Sequence, residues 1–295
     1  MSRPLLALLA AAVIWGAAPP IFRWALFNVP LFSLAFLRFG IAALLLFPLV
    51  RKELRGLTRS SLPPPPLLLL AGLLGVTLNI ALFFSGLKLS TALNAGLLIG
   101  ASPLLSVAGG IFLLKEKPQR RILAGALLGF GGILLLLLGP LISGGINLAF
   151  WGNLLLLSAV SAWVGYEILS RKLFLAGQPV MLVVFFSFWV GALTFLPLAV
   201  NEFLQDPGWI TALDIRGYTG IAFGALLSSF TAYLLWQWGL SKTQVQKAGI
   251  FLYIQPIVAT VIAVPLLKET LSPVFLASAA LIFTGLWLAE RGPRR

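Results

Sequence analysis

The sequence predicts an all-α polytopic membrane protein of ten transmembrane helices in two inverted five-helix repeats, residues 1–144 and 145–295. Three observations carry this. First, 60% of the 295 residues are hydrophobic and 10% charged, whereas a soluble domain carries about 25% charged residues. Second, mainly apolar stretches long enough to cross a bilayer recur ten times, with only short connections between them. Third, one stretch occurs twice: residues 95–116 read AGLLIGASPLLSVAGGIFLLKE and residues 248–269 read AGIFLYIQPIVATVIAVPLLKE. A shift of 153 aligns them without a gap, matching Pro103 with Pro256 and Lys115-Glu116 with Lys268-Glu269. Five spans per half is an odd number, so the second half enters the membrane the other way up.

Composition also excludes several functions. There are 21 Lys and Arg against 8 Asp and Glu, but the cations sit in short clusters between apolar runs and form no continuous face for nucleic acid. Without cysteine or histidine there is no disulfide framework, thiolate metal site or imidazole base, and no cofactor is expected. Placing both termini in the cytoplasm puts Arg51, Lys52 and Arg55, Lys115 to Arg121, Arg171-Lys172 and the basic tail all on the inside, as the positive-inside rule requires.

Taken in order, the first span (5–27) is read as uncleaved; Trp15 sits in it, and Pro19-Pro20 should break it and open space. The second (30–50) holds Arg38 near its middle. An unpaired cation there costs about 2.5–3.5 kcal/mol even on lenient scales, so Arg38 should face a cavity or a partner. The third (64–87) starts at the tetraproline Pro63 to Pro66 and carries Gly72, Gly75, Asn79, Phe83 and Gly86 at helical spacing. That stripe suits either a pathway or a packing seam. The fourth (92–114) contains Ser102-Pro103 and the ninth (244–267) Tyr253, Gln255 and Pro256. A proline in mid-span removes a backbone hydrogen bond and frees carbonyls, and broken helices at matching places in inverted halves point to a transport site.

The fifth span (120–139) carries Gly125, Gly129, Gly131 and Gly132, a face for close helix contact inside the chain or between subunits. On the sixth (149–171), Trp163 and Tyr166 lie one turn apart. Glu167 is the one acid well inside a span; an i,i+4 pair with Arg171 is the favoured explanation and a proton relay the alternative. The seventh (178–200) is apolar, and the eighth (217–240) shows a stripe of Ser229, Tyr233, Trp236 and Gln237. With the tenth (272–290) the count closes; Trp287, and Trp209 before the eighth, suit interfacial or lipid-facing anchors.

Trp15-Gly16 in the first span and the repeated AG…P…LLKE element resemble the drug/metabolite transporter superfamily, EamA type. The aromatic middle of the chain looks most like that superfamily's aromatic amino acid exporters. The resemblance implies central spans around a substrate cavity, peripheral fifth and tenth helices, and alternating access. Four-span relatives couple protons through a glutamate in their first helix. Here the region reads Ala11, Ala12, Val13, Ile14, so that mechanism does not carry over.

The resulting expectation is an inner-membrane exporter of small metabolites, foremost aromatic or other hydrophobic amino acids. Trp163, Tyr233 and Tyr253 would stack on the substrate, Asn79, Ser102 and Gln255 would orient its polar ends, and Trp15, Tyr166 and Arg38 complete the set. Pro19, Pro103 and Pro256 would serve as kinks for gating. The alternative is a multidrug exporter of aromatic or quaternary cations, since rings attract cations. A membrane-embedded enzyme lacks the groups to assemble a site. The expected partners are a small-molecule substrate and the lipid bilayer; monomer and homodimer both remain open.

Overall fold

The computed structural model describes residues 2–56, 65–105, 120–144, 147–243 and 248–290. Among them there is helix and no strand. Helix α1 runs Arg3–Gly16, turns at Ala17 and resumes as Ala18–Ala25. Pro19 and Pro20 fall in the first turn of the second piece, where absent amide donors cost nothing. Helix α2 spans Leu31–Gly56. Helix α3 begins as Pro65–Gly72, passes through a π-helical stretch at Leu73–Leu78 and ends as Asn79–Leu89. Helix α4 is Ala92–Gly100, broken at Ala101 before residues 102–105 turn helical again. Helices α5 (Arg120–Gly144), α6 (Leu148–Leu175) and α7 (Val180–Gln205) follow.

Helix α8 repeats the plan of α3, with Ile215–Ala222, a π-helical stretch at Phe223–Thr231, then Ala232–Ser241. Helix α9 opens as a 3-10 turn at Ile250–Tyr253 and becomes α-helical over Ile254–Leu267, and α10 covers Pro273–Glu290. Local chemistry sets several ends. Asn147 caps α6 by accepting from Phe150 N at 3.2 Å, and Gly177, at φ +83°, stops it in the left-handed turn that glycine adopts freely. Asp214 caps α8 through the amides of Arg216 and Gly217, and the Arg216 guanidinium holds its exposed carboxyl below the usual range.

Among the described residues eight helices are long and apolar enough to cross a membrane. The apolar part of α10, Pro273–Leu288, is shorter. The expected fourth span passes outside the described residues after 105, as do Pro63, Pro64 and the Lys115-Glu116 pair. Leu44, Leu127 and Val261 are 64%, 66% and 68% exposed, an outward apolar surface of the kind a bilayer covers.

The main packings are α5 with α10, α2 with α7, α3 with α6, α1 with α8, and α4 with α9. Every pair joins the first half of the chain to the second. Adding five to each first-half label, and subtracting five from each second-half label, returns the same set of pairs. In the α5–α10 contact, a Cβ on Gly285 would lie 2.5 Å from Gly125 O and Gly129 N, and one on Gly132 would lie 2.8 Å from Ser278 O. The small-residue face is therefore used within the chain, while Gly131 meets nothing within 4 Å. Trp287 is half exposed, whereas Trp209, expected as a surface anchor, is buried at 9%.

One end of the bundle is cross-tied between halves. Glu202 on α7 accepts from Phe32 N, Ser33 N and Ser33 Oγ at the start of α2. Glu269, after α9, accepts from Ala92 N and Leu93 N at 2.8 and 2.9 Å at the start of α4 and pairs with Arg23 of α1 at 3.5 Å. Both carboxylates meet the positive end of a helix dipole. Asn28 adds bonds to Ala212 O and Asp214 N.

Candidate functional site

A cavity of about 80 Å³ lies where α1, α2, α3, α4, α6, α8 and α9 converge. The helix irregularities all sit beside it. The break in α1 follows Trp15, the π stretch of α3 ends at Asn79, that of α8 contains Ser228 and precedes Tyr233, and the 3-10 turn of α9 precedes Gln255. A π turn inserts a residue and re-aims side chains, and such turns concentrate at functional sites.

One wall is aromatic. Trp15 meets Trp163 edge-on at 5.0 Å between ring centres and Tyr233 at 5.3 Å, and Trp163 meets Tyr233 at 5.5 Å and 90°. Each such pair contributes about 0.5–1.5 kcal/mol beyond burial. The polar edges of the rings are fixed too, since Trp15 Nε1 donates to Ser228 O at 2.9 Å and Tyr233 Oη to Gly75 O at 3.0 Å. The wall is held rigid before any ligand arrives.

The polar wall is sparse. Arg38 donates from Nε to Ser229 Oγ at 2.9 Å and from Nη2 to Ser228 Oγ at 3.1 Å, with the Phe22 and Phe39 rings 4.5 and 4.6 Å from its guanidinium carbon. It is 2% exposed and is the one charged side chain among the lining residues described. Asn79 donates to Ala159 O on α6 at 2.8 Å, an interhelical bond, and also lines the cavity. Gln255 lines it with neither amide atom bonded among the described residues.

Of the residues singled out from sequence, Trp15, Arg38, Asn79, Phe83, Trp163, Tyr233 and Gln255 come together here. Ser102 and Tyr253 do not line the cavity, and Tyr166 stands behind it, 5.3 Å from the Trp163 ring. Pro256 packs on Gly100, where an added Cβ would collide with its ring, and Pro103 lies 3.3 Å from where a Cβ on Gly249 would be. The prolines thus face each other's helices across the α4–α9 crossing, and Pro19 is buried in α1. Sequence reasoning missed Ser228 and Phe22, whose residue types carry no signal apart from their proximity to Arg38.

The favoured pairing of Glu167 with Arg171 is corrected by the structure. Arg171 donates to Leu240 O and Ser241 O at 3.2 and 2.7 Å, satisfying the end of α8. Glu167, 3% exposed, accepts from Trp236 Nε1 at 2.9 Å. A helix-terminal carbonyl pair offers the guanidinium two acceptors, and the carboxylate is left to the indole.

The EamA-like transporter family matches the chain twice, over residues 2–138 and 150–290. The chain therefore belongs to the EamA family of the drug/metabolite transporter superfamily: it is a multi-pass membrane transporter and not an enzyme. It is 28% identical to "Probable amino-acid metabolite efflux pump" of Salmonella typhimurium (strain LT2), over 97% of this chain and 94% of that one. It is 26% identical to "Probable terminal-alkyne amino-acid exporter" of Streptantibioticus cattleyicolor, over 99% and 94%. "Uncharacterized transporter YyaM" of Bacillus subtilis (strain 168) is 28% identical over 82% of each chain. A solved crystal structure, 25% identical, superposes with a TM-score of 0.66 over 98% of this chain and 96% of the other.

Proposed function

We propose that this transporter exports small metabolites, foremost aromatic or other hydrophobic amino acids, across the bacterial inner membrane by alternating access. The observation that carries the reading is the cavity shared by both halves, walled by the rings of Trp15, Trp163 and Tyr233 and edged by Asn79, Gln255 and Arg38. Relatives named for amino-acid efflux match nearly the whole chain. Ten spans in two inverted halves, divided near residue 144 and with both termini cytoplasmic, account for the exchange-invariant pairing of helices. In that orientation the end tied by Glu202 and Glu269 faces outward, so the described state is closed to the outside.

Sites for drug-sized ligands measure about 300–1,000 Å³. A cavity of about 80 Å³ must widen to admit an amino acid, and the broken helices beside it are where that can happen. Glu167 is kept as the candidate proton site, because Arg171 does not neutralise it.

The test is counterflow of labelled phenylalanine, threonine and methyl viologen in proteoliposomes, with and without a pH gradient. Saturable exchange of the amino acids is expected. Exchange of the viologen alone would move the assignment to the drug exporter.

A further inference from the structure

Arg38 is a buried cation with no anion paired to it among the described residues. The ion pairs formed among the described residues are Arg23 with Glu269 and Arg216 with Asp214. Neither involves it. Its partners among the described residues are two hydroxyls, reached from Nε and Nη2, and the faces of phenylalanine rings, all electrically neutral. The carboxylate of Glu167 is bonded to Trp236 and is not among the residues lining the cavity. A charge held this way in mid-membrane is costly, and the fork of a guanidinium matches a carboxylate in two parallel bonds.

A second observation points the same way. Gln255, 1% exposed, lines the cavity with Nε2 and Oε1 both unbonded among the described residues. A buried amide wants partners, and cargo is what enters this space. It can donate to a carboxylate or accept from an amine, but it carries no charge. No carboxylate is among the described lining residues to hold an ammonium.

We infer that the cavity reads the carboxylate of its cargo through Arg38, and that an amino group is dispensable. The substrate class is then monocarboxylates with an aromatic or bulky apolar body, of which the amino acids are the zwitterionic members. This rests on the exporter reading above and narrows it. Arg38 binds the carboxylate, Gln255 takes a second polar contact, and Trp15, Trp163 and Tyr233 receive the apolar body. An ammonium meets only neutral acceptors among the described residues, and the cost of stripping its water with no counter-charge offsets the worth of those bonds, so removing it should change affinity by less than about tenfold. A quaternary or primary amine without a carboxylate meets the charge of Arg38 and is rejected.

Counterflow in proteoliposomes at pH 7.5 tests this with labelled phenylalanine, 3-phenylpropionate, phenethylamine and methyl viologen, subtracting leakage into protein-free vesicles. Phenylalanine and 3-phenylpropionate should exchange saturably with half-saturation within about tenfold of each other, and the two cations should not exchange. Arg38→Gln should weaken both carboxylates about ten- to hundredfold, and Arg38→Lys, which keeps the charge without the fork, should fall between. The wild-type panel decides the matter even if Arg38→Gln fails to fold. Phenylalanine without 3-phenylpropionate overturns the inference and leaves the amino acid exporter standing. The reverse supports the inference and removes amino acids as the cargo. Exchange of cations alone overturns the inference and favours a drug exporter, and no exchange at all overturns both.

Discussion

Arg171 points its Nη1 at the carbonyls of Leu240 and Ser241 and leaves Glu167 to the indole of Trp236. In Glu167→Gln the amide oxygen can still accept from that indole, so the protein should fold and exchange substrate, and any acceleration of flux by a pH gradient should vanish. Acceleration that survives would remove Glu167 from coupling. Glu167→Leu strands the indole N–H and should lower stability by about 1–3 kcal/mol in a detergent melt. At this scale the sequence was informative about the rare residues. Arg38, Asn79, Gln255 and Trp163 stand out because polar or bulky groups are expensive or conspicuous in mid-span, and all four line the cavity. Spacing along one helix could not foresee what a neighbouring helix offers. Arg171 found a better acceptor on α8, and Ser102 shares the sequence position of Gln255 in the other repeat without facing the same space.

Elements differ in how closely they can approach. Gly285 admits the backbone of α5 to 2.5 Å from where its Cβ would be, whereas Gly131 on α5 faces open space. Gly285→Ala should therefore destabilise by about 1–3 kcal/mol through overpacking. Gly131→Ala should be neutral or stabilise by up to about 1 kcal/mol through helix propensity. Equal melting temperatures for the two variants would show that the α5–α10 contact is looser than described. The breaks at Ala101 and before Ile254 sit beside Pro103 and Pro256, where the missing amide donor marks them in the sequence. The π stretches at Leu73–Leu78 and Phe223–Thr231 carry no proline. A π turn costs the sequence nothing that composition or periodicity records, and so these two went unseen.

For the whole molecule, the cross-tied end would set which state of the proposed alternating cycle is populated. Glu269 holds two amides of α4 and the guanidinium of Arg23, and a glutamine there can keep only part of that set. Glu269→Gln should shift the population towards opening at that end. The chain has no cysteine, so Ile99→Cys, at a lining position, provides a single thiol for a membrane-impermeant maleimide. Labelling from that side should rise about tenfold or more with Glu269→Gln, the worth of one charge-assisted bond. Unchanged labelling would show that Glu269 is a cap without a part in closure. The double match to the family was readable beforehand because a repeated AG…P…LLKE element survives at a fixed shift. Which end Glu269 ties was not, because Glu116 and Glu269 look alike in sequence.

In the proposed alternating cycle, the charge of Arg38, which has no ion-pair partner among the described residues, would make transport electrical. An empty cavity carries one positive charge through the membrane field, and a cavity holding a monoanion carries none, so voltage acts on the return of the empty carrier. An inside-negative potential of 100 mV works on one elementary charge with about 2.3 kcal/mol. That is enough to sustain roughly a fiftyfold outward gradient of a carboxylate with no second ion moving. A zwitterion crosses with no net charge and draws nothing from that source. A valinomycin-clamped potential should therefore drive 3-phenylpropionate and leave phenylalanine at equilibrium. Equal responses of the two would place the driving force elsewhere.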